Sequence, residues 1–515
     1  MPCLINIGIF IPYLSLMNRS GALYRLIRSM SQNEKRYFTH LATANRDSSD
    51  YVRMFKVIDE QKITDDEKLK GRLTGKAEVR HFAVKKIQLY QLLLKSLRNF
   101  HEGRSFDFTL KEMMIDAAIL SDKALYHDCH SILIKAKAIA GEYEEWKVLL
   151  EILHKEYTII QHVFEAGELE KEILRFHREE KVIIAQLNNY SELTYLNMSL
   201  RIIIQESKHG SGLSVSRGLK KLSIHDLLQH ERKAISFRAK SLYFLIRSTI
   251  FISDLEYEKA ERMLKNHHNL YEKHPHFIAA SPGNYLNVLN ELMLVHFRMH
   301  RFEEALKYIQ RLRQLPETSH IRKIRSSRFR MLMLAWTLRI ELSIALSTGN
   351  VPAILDQLQE QEEYFVRHAL LFEPTIRIET FLALASCYYD LQDNSKAIFY
   401  LQKIFQDHEL KRGGEILFMA NVLQFIIHFE EGNGDLLDHL ARALKRSAAK
   451  NKYQLRSEKL LCELATRLLR INMEKKYRVI YSSYLKKFEA LKQVSKEQSL
   501  YDYFDVTRWL KARLQ

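Results

Sequence analysis

The sequence predicts an all-α fold of stacked antiparallel helical hairpins behind an N-terminal helical cap. Three observations predict it. First, a helix–turn–helix pattern recurs down the C-terminal half, with a mostly small residue opening each second helix. These positions are Ala260, Ala305, Ile354, Ala397 and Leu437, in steps of 45, 49, 43 and 40 residues. Self-similarity at that period marks an array in which no hairpin buries its apolar face without its neighbour. Second, no proline occurs between Pro12 and Pro275, and Pro275, Pro316 and Pro352 stand where hairpins should end or begin. Proline lacks an amide donor and clashes inside a helix, so it punctuates helices at their ends. Third, 515 residues with 46% hydrophobic content can bury a large core, and a repeat array lengthens without enlarging any single core.

Residues 1–16 are apolar, with no basic residue ahead of them and too few residues for a spanning helix of ~20. They read as an extension ahead of a start at Met17 or Met30; a signal or membrane-associated segment and an ordered packing element are the alternatives. Residues 17–105 form a basic helical cap. In it Ser31 and Glu34 can build a capping box, short helices follow to about Ala42, over 49–61 and over 64–73, and a long helix covers 76–100. Residues 106–208 read as irregular hairpins, with helix throughout 168–206. The Gly/Ser-rich stretch 209–218 reads as a linker. Residues 219–515 hold hairpins at 236–274, 284–315, 328–366, 376–408 and 415–448, then helices at 453–470, 474–493 and 499–513, the last closing the array.

Cys3, Cys129, Cys387 and Cys462 are far apart, which argues against a disulfide framework or a thiolate metal site and suits a reducing cytoplasm. Histidines at 127 and 130, and at 267, 268, 274 and 276, are adjacent or nearly so. Neighbours on a helix diverge by about 100°, so they supply no tetrahedral set, and no metal or cofactor is expected. No phosphate-cradling glycine loop, nucleophile elbow or zinc-helix signature appears, so no enzyme is expected.

The unit Phe381, Leu384, Ala385, Tyr388, Ala397, Leu401 and Ile404 resembles the tetratricopeptide repeat, and the likeness extends more loosely over residues 236–448. The unit at Ala305 departs from it, with Met293 and His296 in place of the small residue and tyrosine of that family. With its opening Leu23-Tyr24-Arg25-Leu26-Ile27-Arg28-Ser29-Met30-Ser31-Gln32-Asn33-Glu34-Lys35-Arg36-Tyr37-Phe38, the whole chain also looks like a group of uncharacterised bacterial all-helical proteins, a likeness that implies no activity. The resemblance implies a right-handed superhelix whose first helices line a concave groove for a peptide or protein segment. Carried over, the groove positions are Asn287, Asn290 and Arg298, then Trp336 and Arg339, then Glu379, Ser386 and Tyr389. Such a chain would be a protein–protein interaction scaffold.

The net charge of +17 supplies the alternative, a nucleic-acid-associated protein. Its candidate patches are Arg322, Lys323, Arg325, Arg328 and Arg330, and Arg442, Lys445 and Arg446. Because Leu437, Leu440 and Leu444 occupy one helical face, the charges of that helix fall on the opposite one, which also suits an ordinary solvated face.

Overall fold

The computed structural model describes residues 21–43, 49–60, 69–71, 82–101, 105–207, 212–317, 327–407, 414–450, 455–470, 474–492, 494, 497, 501 and 504–515. Among these the ordered structure is all helical, without a strand. Residues 1–16, and with them the expected extension, lie outside the described residues, as does the stretch expected to be helical over 64–68.

The chain divides into two compact units, residues 1–140 with 151–170, and residues 141–150 with 171–515. The first unit contains α1 (Ala22–Ser29), α2 (Gln32–Thr43), α3 (Ser49–Glu60) and α4 (Phe82–His101). These helices share a core of Leu23, Ile27, Phe38, Phe55, Ile58, Leu89 and Leu93. The capping box forms: the Ser31 amide donates to Glu34 Oε2 at 2.6 Å, and the Glu34 amide to Ser31 Oγ at 3.3 Å. The apolar face of the long basic helix is therefore spent on packing, and α4 is a core element. Next come α5 (Phe106–Asp122), α6 (Tyr126–Glu142) and α7 (Trp146–Val163). Here Cys129 is a buried thiol that donates to the Ala117 carbonyl at 3.2 Å.

After residues 141–150, the turn and the first residues of α7, the second unit takes up α8 (Leu169–Ser207) from Lys171 onward, then α9 (Gly212–Ser223). Residues 212–218, expected to belong to a linker, are helical because Leu219 and Leu222 one turn on bury against Leu193, Leu196 and Leu200 of α8. Burial of leucines, each contributing about 1.5–3 kcal/mol, outweighs the roughly 0.5 kcal/mol by which each serine, and about 1 kcal/mol by which each glycine, disfavours helix. Five hairpins follow. They are α10 (Phe237–Ser253) with α11 (Tyr257–Lys273); α13 (Pro282–Arg298) with α14 (Phe302–Gln314), after the short α12 (Pro275–Ala280); α15 (Ser327–Thr348) with α16 (Val351–Arg367); α17 (Pro374–Asp390) with α18 (Asn394–Phe405); and α19 (Glu415–Glu430) with α20 (Gly434–Lys450). The chain then runs through α21 (Arg456–Leu469), α22 (Glu474–Lys492) and α23 (Val506–Ala512).

Packing is between neighbours. Each hairpin's two helices pair, and the first helices α13, α15, α17 and α19 also pack in sequence against one another. That placement explains α15, which gives Met333, Trp336, Ile340 and Ile344 to one core and Ala335, Leu338, Leu342 and Ala345 to the next. A helix flanked on both sides is apolar all round. Its stretch 329–348 is long and apolar enough to cross a membrane, yet 61% of its most apolar window is buried inside the structure.

One turn geometry joins the hairpins. Leu255, His300, Gly349, Gln392 and Gly432 all sit at positive φ, between 56° and 76°, five residues ahead of the small-residue series. In all five of these turns the following amide reaches back to form the 6→1 bond of a Schellman motif: Glu256 to Phe251 O, Arg301 to His296 O, Asn350 to Ala345 O, Asp393 to Tyr388 O and Asn433 to His428 O, at 2.8 to 3.1 Å. The recurring αL residue ends the first helix, and five positions later Ala260, Ala305 or Ala397 lies fully buried where the helices cross. Ala124 and Glu144, at φ 58° and 54°, end α5 and α6 in the same way.

Candidate interaction surface

The groove positions come from three consecutive first helices, and the structure gives them different fates. On α13, residues 287, 290, 291 and 298 follow helical spacing along one stripe. Asn287 is exposed, Arg298 is half-buried, and Asn290 is 8% exposed. The Asn290 Oδ1 atom is buried without a hydrogen-bond partner. On α15, Trp336 is buried and Arg339 pairs with Glu379 of α17, the two side chains 19% and 16% exposed. Arg339 Nε has no partner of its own.

Glu291 completes this polar seam. Burial pushes its carboxyl above the usual range, and the Arg339 guanidinium opposes the rise. Arg339 thus stands between carboxylates of the helices on either side of it. Glu291 lies four residues past Asn287 on the same face, but a lone glutamate on a helix usually faces water, so spacing alone does not mark it.

Farther along, the face is covered. Ser386 is buried, and the Tyr389 hydroxyl donates to Glu430 Oε1 at 2.9 Å. The same carboxylate accepts Trp509 Nε1 at 2.6 Å and pairs with Arg513. Phe504 packs on the Tyr389 ring at 5.7 Å. Arg508 donates to the Leu346 carbonyl at 3.0 Å and pairs with Asp390 at 3.1 Å. The C-terminal segment therefore touches the ends of α15, α17 and α19 and leaves Asn287, Asn290, Glu291, Arg298, Arg339 and Glu379 uncovered by it, Asn287 exposed and Asn290 buried among its neighbours. No local pattern announces this, because the Trp509–Glu430 bond closes across 79 residues.

The other candidates separate as well. Arg322, Lys323 and Arg325 lie outside the described residues, as does the side chain of Arg328, and Arg330 is exposed. Arg442, Lys445 and Arg446 are exposed on α20, across from Leu437, Leu440 and Leu444. A cleft lined by Asp356, Glu362, Glu363, Tyr388, Asp393 and Lys396 contains none of the groove or basic-patch candidates. In it Glu362 accepts the Tyr388 hydroxyl at 2.9 Å and that of Tyr400, a satisfied internal carboxylate.

Comparison with protein-family models, with curated proteins and with solved structures returned no match.

Proposed function

We propose that this chain is a non-catalytic cytoplasmic scaffold, a right-handed tetratricopeptide-like superhelix that holds a peptide or protein segment along its first helices. Support comes from the neighbour-to-neighbour packing of α13, α15, α17 and α19 and from the Schellman turns that recur in register with the buried alanines. The observation that carries the reading is the pair of unpartnered polar atoms, Asn290 Oδ1 and Arg339 Nε, on adjacent first helices. Buried acceptors and donors are nearly always satisfied. An acceptor and a donor on adjacent first helices are complementary to the amide and carbonyl of an extended backbone.

A photo-crosslinking residue at exposed Asn287, compared with one at exposed Lys307 on α14, tests this in cells. A defined protein adduct should form from position 287 and not from 307, and it should weaken when Asn290 is replaced by Leu. Adducts of equal yield from both positions, or none from 287, would remove the groove as the binding face.

A further inference from the structure

Residues 442–487 carry 14 Lys/Arg against 3 Asp/Glu, whereas the whole chain carries 79 against 62. The excess charge is therefore concentrated on α20, α21 and α22, helices that take no part in the first-helix seam. Of the three acids, Glu458 is buried and accepts the Leu455 amide at 3.1 Å, so it does not offset the surface charge. Glu463 is exposed on α21.

The cations form one band because of how the three helices abut. α20 packs on α21, and α21 on α22. On α21, Leu461, Leu464, Ala465 and Leu468 face the core. At 100° per residue, Cys462 and Arg467 then point to opposite flanks, with Lys459 and Arg470 projecting outward between them. Both flanks carry a cation at the seam. On one, Lys445 of α20 acts electrostatically on the Cys462 thiol. On the other, Arg467 and Lys487 of α22 bracket the Tyr484 ring, 5.5 and 4.8 Å from its centroid. Lys445, Arg446, Lys459, Arg467, Arg470 and Lys487 thus run across three helices whose axes lie about 9 Å apart, a band on the order of 20 Å wide. Arg446, Lys459, Arg467, Arg470 and Lys487 are all exposed, as is Lys445. Among the described residues none of the six is held in an ion pair.

We propose that this band is a docking surface for duplex nucleic acid, engaged through its phosphates without base preference. Charge complementarity selects a polyanion. The shape of the side chains selects among polyanions. A bilayer would call for apolar wedges beside the cations, but Val479 is the only large hydrophobic exposed between 442 and 487 among the described residues. Single strands bind by stacking bases on aromatic rings, and Tyr481, Tyr484 and Phe488 are buried. What remains is a set of exposed cations outside ion pairs, which is what backbone contacts to a duplex use.

The test is fluorescence anisotropy with a labelled 25-base-pair duplex of random sequence and the full chain. Affinity should fall steeply with salt, the slope of log K against log[salt] being about −0.9 per phosphate neutralised, so about −5 for six contacts. The triple variant Arg446→Gln/Lys459→Gln/Arg470→Gln should weaken binding at least tenfold at 100 mM salt and flatten the slope by about 2 to 3. A matched control, Arg262→Gln/Lys273→Gln/Lys307→Gln, removes the same charge from exposed sites elsewhere and should change affinity less than twofold. Circular dichroism melts of both variants verify that each is folded. Equal weakening by the two triples, no binding at 50 mM salt, or tighter capture on phosphatidylserine vesicles than on the duplex would overturn the proposal. None of these outcomes bears on crosslinking from position 287, so the two readings fail separately.

Discussion

The Glu144 carboxylate accepts the backbone amide of Phe237 at 2.6 Å, across 93 residues of sequence. Its second oxygen takes the Arg238 amide at 2.8 Å, while Glu145 pairs with the Arg238 side chain. Two of the orphan amides that open α10 are thereby satisfied from the turn that ends α6. A carboxylate there also meets the positive end of the helix dipole.

Replacing Glu144 by Ala should therefore destabilise the second unit by about 1–2 kcal/mol, the usual worth of a helix N-cap. The measurement is the urea midpoint of the full chain. Gln, which keeps one acceptor oxygen, should recover part of the loss. A Glu144→Ala midpoint equal to wild type would mean that water caps α10 equally well.

The hairpin turns make a second expectation. Gln392 is exposed and sits at φ 63° without the freedom of glycine. A left-handed conformation costs a side-chain-bearing residue roughly 1–2 kcal/mol, and glycine loses about 0.5–1 kcal/mol of that advantage to chain entropy. Gln392→Gly should raise stability by about 0.5–1 kcal/mol. Gly432→Val, which puts a β-branched residue at φ 73°, should lower it by more than 1 kcal/mol. Thermal melts of the two variants decide this, and shifts of the same sign would refute it.

A third expectation concerns pH. His267 is buried, shares a 2.8 Å hydrogen bond with Ser241, and is held neutral because burial lowers its pKa from 6.5 to about 3, with His268 adding to the effect. Between those values the unfolded chain binds a proton that the folded chain does not. Stability is thus fully present above about pH 6.5 and declines as pH falls toward 3, by up to about 1.4 kcal/mol per pH unit. His267→Gln keeps a polar partner for Ser241 and removes the proton uptake, so its stability should fall less steeply between pH 6.5 and 4.5. Burial also lowers His268, His274 and His296 in both proteins, so the difference between the two curves isolates His267; parallel curves would contradict its assignment.

The fourth expectation bears on the C-terminal segment. Glu430 holds Tyr389, Trp509 and Arg513 together. Glu430→Gln removes the charge that all three donors share, a loss of about 1.5–3 kcal/mol for charge-assisted bonds in a partly buried site. Hydrogen exchange across residues 504–515 should accelerate, and trypsin should cut sooner after Arg508 and Lys511. Unchanged exchange there would show that Val506 and Leu510, both buried, hold the segment by packing alone.

Helix positions along much of the chain were readable from local rules. Apolar spacing and proline placement put the five hairpins within a few residues of α10 through α20, since a helix depends on neighbours three and four residues away. The same local rules misread 212–218, where serine and glycine stand in helix because leucines farther on are buried. The site was less legible. Asn287 and Asn290 are equivalent in sequence, yet one meets water and the other is enclosed with an unpartnered oxygen.

The sequence by itself determined the all-helical character, the repeat steps and the location of the surplus charge, because each follows from residue type and short-range spacing. Tertiary structure alone decided that α23 reaches back to Glu430, that Glu144 caps α10, that Arg339 stands between Glu291 and Glu379, and that the cations of α20, α21 and α22 merge into one band. Those relationships depend on distances between residues that are remote along the chain, and only the packing of one helix against the next sets such distances.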